Sequence, residues 1–220
     1  MTFGLGEGFH VWRNTRARRA YSFSGTVNRN LLVAKCKTDR MPTSIGVVRP
    51  ASGQDAAACV AIYRPYVRDT TISWEIEVPT VDEMAARIGA ARDAHEWLVL
   101  ESAGEIIGFA YAHALRRLPS YQWSAETGIY VSAGHHRSGV GRQLYTQLLR
   151  RITERGYRRA FAGITQPNDA SNGFHRSFGF QDAGIYRRVE WKHSSWHDVA
   201  WMQLDLLGAA DQDEPPGPIA

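Results

Sequence analysis

The chain has 220 residues, of which 44% are hydrophobic and 22% charged, as in an ordinary globular protein with a sizeable core. Its formal net charge of +4 arises in residues 1–40, where eight Lys and Arg stand against two acidic residues. The remaining residues contain 18 Lys and Arg against 20 Asp and Glu, so the charge of the folded part gives no reason to expect a nucleic-acid partner. Two cysteines are too few for a disulfide framework, and no apolar run is long enough to cross a bilayer. We therefore expect a reduced cytoplasmic protein without a membrane span.

Residues 1–44 differ in composition from the rest of the chain. They mix Gly, Arg, Asn and Ser without a helical or alternating period, so we expect a disordered N-terminal extension, with an alternative start at Met41. Two other interpretations stay open: a transit peptide, although no clear amphipathic helix is present, and nucleic-acid binding through the arginines. Residues 208–220 are predicted to be a disordered tail, which leaves residues 45–207 as the folded domain.

Between these ends, hydrophobic spacing and turn residues predict the element order βααβββαβαββ, typical of a mixed α/β layer fold. The first helix is expected over residues 54–67, with Ala57, Val60, Ala61 and Tyr63 on its buried side. Thr80 and Glu83 form a capping box at the start of the second helix. The other predicted helices cover 139–155 and 171–178, and the predicted strands cover 47–49, 97–101, 106–114, 126–131, 159–164, 187–191 and 199–206.

The segment from Glu126 to Leu144 predicts a strand that turns through glycines into an amphipathic helix. Gly139 and Gly141 allow a ligand to approach the backbone closely. The apolar residues of the helix then follow at helical spacing: Val140, Leu144, Tyr145, Leu148, Leu149 and Ile152. A helix that begins at such a turn offers free N–H groups and a positive dipole end, which favour a phosphate.

A Gly-x-Gly turn alone is more often only a tight turn. The segment is not a Walker loop, because no Gly-Lys-Ser/Thr follows, and it is not a dinucleotide fingerprint, because Leu144 occupies the third glycine position. The phosphate interpretation gains from a second segment about 30 residues further on, which runs from Asn168 to Phe180.

Together, the two segments resemble the GNAT superfamily of acetyl-CoA-dependent N-acetyltransferases. The pyrophosphate loop of that family is matched by Gly139 and Gly141, and a later helix motif is matched by Asn168, Ser171, Gly179 and Phe180. His136 and His175 depart from the pattern, since they stand where the family has Gln or Arg and, in many members, Tyr. Residues 46–207 resemble the phosphinothricin and methionine sulfoximine N-acetyltransferase branch, most clearly over 61–67, 79–84, 121–126, 144–149 and 192–199.

The resemblance implies an α/β fold of the GNAT acyl-CoA N-acyltransferase type, whose mixed central sheet splays between strands 4 and 5 and is flanked by helices. It implies acetyl-CoA as co-substrate and direct acetyl transfer, in a ternary complex, to the α-amine of a small amino acid or analogue. Phosphinothricin, methionine sulfoximine and methionine sulfone are the acceptors it points to, with a homodimer and a role in herbicide or antibiotic resistance. The alternatives are another acceptor (an antibiotic, a polyamine or a protein N-terminus) and a non-catalytic CoA-binding sensor.

The resemblance also assigns the coenzyme site and two catalytic groups. The expected cofactor-binding residues are Ile129, Tyr130 and Val131 for pantetheine, Arg137, Ser138, Gly139, Val140, Gly141 and Arg142 for the pyrophosphate, and Asn168, which bonds pantetheine or only caps a helix. Glu126 is the expected general base, and the alternative is an exposed glutamate at a strand start. His175 is the expected proton donor to the thiolate, and the alternative is a packed helix histidine.

For the acceptor pocket we consider Trp74, Arg116 and Tyr121. A guanidinium pairs well with a carboxylate, and aromatic rings can enclose an aliphatic side chain. The alternatives are a solvated loop arginine and aromatics of the core, and the sequence does not decide between Arg116 and its neighbour. A His-x-x-x-His pair at 193 and 197 flanks a predicted turn and lacks a third ligand, so no metal is expected.

Overall fold

The computed structural model describes residues 45–208, and their helices and strands follow the predicted order. The predictions for residues 1–44 and for the tail beyond residue 208 lie outside the described residues. The strands are β1 (Val47–Pro50), β2 (Glu96–Ser102), β3 (Glu105–Ala114), β4 (Ser124–Val131), β5 (Arg159–Thr165), β6 (Gln181–Lys192) and β7 (Ser195–Asp205). The helices are α1 (Ala56–Asp69), α2 (Val81–Ala94), α3 (Val140–Glu154) and α4 (Asp169–Arg176). Within residues 45–208, no helix has the length and apolar character needed to cross a bilayer.

The strands form one mixed sheet in the order β1-β2-β3-β4-β5-β7-β6. Neighbouring strands are antiparallel except for β4 and β5, which are parallel. The hairpin between β2 and β3 turns at Ala103 and Gly104, with φ of 51° and 83°, as the Ala-Gly pair predicts. The mixed α/β sheet with flanking helices is therefore confirmed.

The sheet opens between its two parallel strands. β4 and β5 pair at Ser124 with Arg159, at Ala125 with Ala160 and at Glu126 with Phe161. Past Glu126, β4 runs on to Val131 and β5 to Thr165, but the register contains no further pair between them. The predicted splay between strands 4 and 5 is confirmed, and it leaves peptide groups of β4 facing a gap rather than a neighbouring ladder.

Helices cover the sheet on both faces. The helices α1 and α2 pack on the face that carries Trp97, Val99 and Phe109, while α3 packs on the opposite face. The stripe predicted for α3 is confirmed: Val140, Leu144, Tyr145, Leu148 and Ile152 are fully buried, and Leu149 packs at their edge. Each such side chain contributes about 1.5–3 kcal/mol through burial, which anchors α3 and the glycine turn before it.

The buried side of α1 is only partly as predicted. Val60 and Tyr63 are buried, but Ala57 and Ala61 are exposed, and the chain instead buries Cys59 and Ile62. That prediction was wrong because the small alanines do not specify a face, so the larger apolar side chains set the rotation of the helix. In α2, by contrast, the predicted box is present: Thr80 Oγ1 accepts from the Glu83 N–H at 3.2 Å, and Glu83 Oε2 accepts from the Thr80 N–H at 2.7 Å.

The closing hairpin is longer than the sequence predicts. β6 begins six residues before the predicted strand, and its pairing with β7 slips twice, between Asp182 and Gly184 and between Tyr186 and Glu190. These irregularities break the alternation that marks a strand, which explains why its first half was missed. His193 and Ser194, with φ of 49° and 59°, form the two-residue turn between β6 and β7.

Candidate active site

A cavity of ≈ 190 Å³ lies where β4 and β5 part. Both strands contribute to its wall, β4 through residues 126–130 and β5 through residues 162–163. Five of the residues that the sequence singles out line this one cavity: Trp74, Glu126, Ile129, Tyr130 and His175. The fold thus brings together the proposed base, part of the proposed pantetheine site and one wall of the proposed acceptor site.

The backbone of β4 presents alternate peptide groups to the gap. The Ser132 N–H donates to the Ile107 carbonyl at 3.0 Å, on the β3 side. Because peptide groups alternate along a strand, those of Ile129 and Val131 point the other way, towards β5. The Val131 carbonyl already accepts a hydrogen bond from the Tyr66 hydroxyl at 2.5 Å. Ile129 therefore offers the main-chain groups best placed for a ligand in the gap.

The turn before α3 needs glycine at its last position. Gly139 caps the helix with φ of 94°, a conformation that costs a residue with a side chain about 1–2 kcal/mol. Arg137 precedes it with φ of 59°, and the Ser138 hydroxyl donates to the His135 carbonyl at 2.6 Å. The turn is thus held in shape while α3 directs its first N–H groups outward, which is the arrangement that binds anions.

Gly141 lies beside α4, where an added Cβ would be in ordinary van der Waals contact with the Phe174 ring at 3.4 Å. Arg142, one turn into α3, lies with its guanidinium 5.3 Å from the centre of the Phe178 ring and donates to the Ser177 hydroxyl at 3.3 Å. Asn168 caps α4, because its Oδ1 accepts from the Ser171 N–H at 3.0 Å.

Glu126 stands on β4 directly opposite His113 of β3. Its Oε1 lies 4.0 Å from His113 Nε2, and its side chain is only 16% exposed. Burial raises the pKa of this carboxyl, while the nearby His113 and Arg116 act in the opposite direction. A carboxylate with a raised pKa in a cleft is better matched to proton abstraction near neutral pH than an exposed one.

His175 lies at the other side of the cavity, in α4, and is 4% exposed. Its Nδ1 is 2.9 Å from the Ser171 carbonyl, which can only accept, so the neutral ring carries its proton on Nδ1. The ring packs edge-on against Tyr145, Phe174 and Phe180, and burial lowers its pKa. These contacts work against proton donation, because the free Nε2 has to be protonated before it can act as an acid.

Trp74 is held over β5 by two contacts. Its Nε1 donates to the Thr165 hydroxyl at 2.8 Å, which in turn donates to Glu190 Oε2 at 2.7 Å. Its ring lies on Gly163, where an added Cβ would come within 2.4 Å of the ring. Trp74 therefore lines the cavity, and its role as an acceptor-site wall stays a prediction. The glycine beneath it was not foreseen.

The loop that carries Trp74 is fixed by polar groups that the sequence analysis missed. Lys192 is 4% exposed, and its ammonium donates to the Ser73 carbonyl at 2.5 Å. The Tyr63 hydroxyl donates to Glu75 at 3.0 Å, and Arg87 holds the same carboxylate with bonds of 2.6 and 3.0 Å. Lysine is rarely buried, so nothing local to residue 192 could have identified it.

Arg116 and Tyr121 do not line the cavity. Arg116 is exposed and donates to the Leu115 carbonyl at 3.1 Å, while Tyr121 is 43% exposed in the turn before β4. A neighbouring cavity of ≈ 420 Å³ shares Tyr63, Glu75, Tyr111 and His113 with the first and is lined by Arg117. Of the two adjacent arginines, Arg117 is thus the one that lines this second cavity.

The histidine pair at 193 and 197 is engaged with the backbone. His193 Nε2 lies 3.3 Å from the Thr70 carbonyl, and His197 Nε2 lies 3.0 Å from the Lys192 carbonyl. Over the described range, no three side chains of His, Cys, Asp or Glu are grouped as metal ligands.

Comparison with known proteins agrees with this geometry. Residues 59–180, more than half of the chain, match the family described as "Acetyltransferase (GNAT) family". The chain belongs to the GNAT acetyltransferase family. This GNAT domain is 34% identical over 181 residues to a phosphinothricin N-acetyltransferase of Streptomyces viridochromogenes, a match that covers 82% of this chain and 95% of the relative. It is 32% identical to an L-methionine sulfoximine/L-methionine sulfone acetyltransferase of Pseudomonas aeruginosa, over 72% of this chain and 94% of the relative.

A solved structure extends the likeness to three dimensions. It is the crystal structure of a GNAT superfamily phosphinothricin acetyltransferase from Sinorhizobium meliloti in complex with AcCoA. Its TM-score to the GNAT chain is 0.74 at 30% identity, over 80% of this chain and 95% of that one. The predicted resemblance to the phosphinothricin and methionine sulfoximine branch is therefore confirmed.

Proposed function

We propose that the protein transfers an acetyl group from acetyl-CoA to the α-amine of a small amino acid or amino-acid analogue. The observation that carries this proposal is the gap between β4 and β5, where the half-buried Glu126 carboxylate and unpaired strand backbone meet in one cavity. A pantetheine arm can enter such a gap and take the hydrogen bonds that a strand would have made. The likeness to a phosphinothricin acetyltransferase solved with AcCoA supports the choice of co-substrate.

The chain offers a cradle for each part of the coenzyme. Ile129 supplies main-chain groups for the pantetheine, with Tyr130 and Val131 beside it. The turn at residues 137–139 and the first turn of α3 receive the pyrophosphate through N–H groups and the helix dipole. Asn168 already caps α4, so its contribution to the coenzyme is to fix that helix beside the gap.

Glu126 accepts the proton of the incoming ammonium and leaves a neutral amine. The amine nitrogen then forms a bond to the thioester carbon and the carbon–sulfur bond breaks. The nitrogen gives up a second proton as the amide forms, and the thiolate takes up one. His175 is the candidate donor for that last proton, but its Nδ1 bond and its lowered pKa mean that it must first be protonated at Nε2. Turnover therefore depends more on Glu126 than on His175.

Transfer is direct, without an acetyl-cysteine intermediate. Within the described residues the free cysteine is Cys59, which lies on α1 with its side chain fully buried in the core. Burial raises the pKa of its thiol to about 12, so the thiolate needed for nucleophilic attack is scarce at neutral pH. A ternary complex of enzyme, acetyl-CoA and acceptor is the scheme that fits.

The acceptor class follows from the relatives and from the shape of the cleft. The relatives act, by their names, on phosphinothricin and on methionine sulfoximine or sulfone. The cavity that Arg117 lines adjoins Glu126 through His113 and Tyr111, so an acceptor carboxylate can meet a guanidinium while its amine faces the base. A cytoplasmic location and a part in herbicide or antibiotic resistance stay predictions.

We also propose that the protein forms a homodimer through the exposed β6–β7 hairpin. β6 is an edge strand, and the hairpin exposes about half of each of five large apolar side chains: Ile185, Tyr186, Val189, Trp191 and Trp196. Exposed apolar patches of this kind mark association sites. Light scattering on the purified chain tests the idea, and a monomer at micromolar concentration contradicts it.

An acceptor screen tests the main proposal. Thiol release from acetyl-CoA is followed with methionine sulfone, methionine sulfoximine, phosphinothricin, spermidine and an aminoglycoside, and the products are identified by mass. We expect amide formation on the amino-acid analogues and none on spermidine or the aminoglycoside. Turnover only with the polyamine or the antibiotic overturns the acceptor class. Calorimetric binding of coenzyme A with no turnover on any amine supports the sensor instead.

A further inference from the structure

We propose that His113 takes the abstracted proton from Glu126 and delivers it to solvent, so that the two residues work as a relay. This inference rests on the proposed function, because it concerns the fate of the proton that Glu126 removes. After each turnover the carboxyl must lose that proton before it can act again. A base that is only 16% exposed needs a route for the proton to reach water.

The register between β3 and β4 places His113 next to Glu126. His113 and Glu126 are directly opposite on the antiparallel strands β3 and β4, so their side chains share one face of the sheet. Oε1 and Nε2 are 4.0 Å apart. A side-chain rotation that shortens this separation by about 1 Å brings the two atoms within hydrogen-bond distance. Catalytic contacts commonly tighten in this way when substrate binds.

The contact of the second ring nitrogen determines which tautomer the neutral His113 ring adopts. Nδ1 lies 3.1 Å from the Ala114 carbonyl, and since a carbonyl only accepts, Nδ1 carries the hydrogen in the neutral ring. Nε2 therefore has a free lone pair on the side of Glu126. The transfer breaks the O–H bond of the Glu126 carboxylic acid and forms an N–H bond at Nε2. That bond then breaks towards water, which restores the carboxylate and the neutral imidazole.

His113 reaches both the cleft and the solvent. It lines the cavity of Glu126 and also the larger neighbouring one, and its side chain is 47% exposed. Glu126 by itself lines only the inner of these two cavities. A histidine that touches both sides in this way can act as a proton shuttle, which accepts a proton at one ring nitrogen and releases it to water.

The charged surroundings of the pair are mixed. Tyr111 of β3 stacks on the His113 ring at 5.9 Å between centres. From the other elements, His95 at the end of α2, Arg87 of α2, Glu75 of the α1–α2 loop and Arg117 of the β3–β4 loop line the same cavity as His113. The charge of Arg116 acts on Glu126. The carboxylate among these groups, that of Glu75, is already bound by Arg87 with bonds of 2.6 and 3.0 Å.

The test replaces His113 with Asn and uses His197→Asn as the matched control. An asparagine amide can still donate to the Ala114 carbonyl but cannot titrate, and His197 likewise contacts a backbone carbonyl, that of Lys192. Thiol release is measured across pH, in dilute buffer and with added imidazole. We expect His113→Asn to lower kcat about tenfold in dilute buffer. This is less than the ~10²–10⁴-fold contribution of a positioned base, because water reaches the pair and can carry part of the proton transfer. Imidazole restores the rate, and the KM for acetyl-CoA is unchanged.

Several outcomes decide the matter. The wild type and His197→Asn should be indifferent to imidazole, and His113→Asn should add nothing in a Glu126→Gln background, since the two groups act as a unit. Wild-type kcat for His113→Asn in dilute buffer at every pH overturns the relay, as does a loss that imidazole does not restore or that adds to that of Glu126→Gln. Failure of the proposed function looks different, because the wild type itself then releases no thiol.

Discussion

Replacing Glu126 with Gln removes the proposed base and keeps the size of the side chain. A positioned base contributes about 10²–10⁴-fold to the rate, or about 3–5 kcal/mol in the barrier. Solvent reaches the site through the cavities on either side of His113, so water replaces part of the lost function. We therefore expect kcat to fall about 10²–10³-fold. The affinity for coenzyme A should be unchanged, because the glycine turn follows the opposite end of β4.

The same substitution should make the protein more stable at neutral pH. Burial raises the pKa of Glu126 above its ordinary 4.5, so the folded protein binds this proton more tightly than the unfolded chain does. The resulting stabilisation is fully present below pH 4.5 and is lost as pH rises through the folded pKa. At neutral pH the wild type thus carries the cost of a buried charge, which a neutral glutamine avoids. The Tm of Glu126→Gln should exceed that of the wild type at neutral pH and converge with it below pH 4.5.

Activity and stability together separate the base from its alternatives. Steady-state thiol release gives kcat, isothermal titration gives the affinity for coenzyme A, and thermal melts at several pH values give Tm. Wild-type turnover near neutral pH would refute the assignment of Glu126 as base. A Tm that falls at neutral pH would instead mean that attraction to His113 and Arg116 outweighs the cost of burial, and that the carboxylate is held mainly as an ion-pair partner.

Two further substitutions probe the walls of the cleft. Gly163→Ala places a Cβ 2.4 Å from the Trp74 ring, so the ring must move and lose its hydrogen bond to Thr165, worth about 1 kcal/mol. The KM for the acceptor should therefore rise while the KM for acetyl-CoA stays constant. Equal changes in both KM values would contradict this. His175→Phe keeps an aromatic ring in the cluster and removes a group whose pKa is lowered by burial. Because the unfolded chain binds this proton more tightly than the folded protein does, the wild type loses stability as pH falls below the ordinary 6.5. The variant should therefore lose less Tm than the wild type on acidification from pH 7 to pH 5, and a parallel decline would show that His175 is not the acid-sensitive group.

The features that the sequence predicted well are those with a local signal. The stripe of α3 was identified because leucine, valine and isoleucine recur at helical spacing, which places most of them on one buried face. The capping box at Thr80 and the Ala-Gly turn of the first hairpin are set by neighbouring residues alone.

The features that were missed depend on which distant residues meet. His113 becomes part of the site only through the register of β3 with β4, and a slip of one residue would turn it to the other face. Lys192 is 119 positions away from Ser73, whose carbonyl it binds. Arg117 and Arg116 have the same local pattern, and only the path of the β3–β4 loop places Arg117 against a cavity. The spacing of residues along the chain does not predict such long-range contacts.

The site is divided between two kinds of support. Glu126 and the coenzyme turn belong to β4 and α3, which the fully buried residues of the main core hold in place. The proposed acceptor wall belongs to the loop around Trp74, which is held by polar contacts to Thr165 and Lys192. Packing against the core resists change at any single residue, whereas a few hydrogen bonds can be exchanged one at a time. Acceptor choice can therefore shift through the loop while the base and the coenzyme site stay fixed.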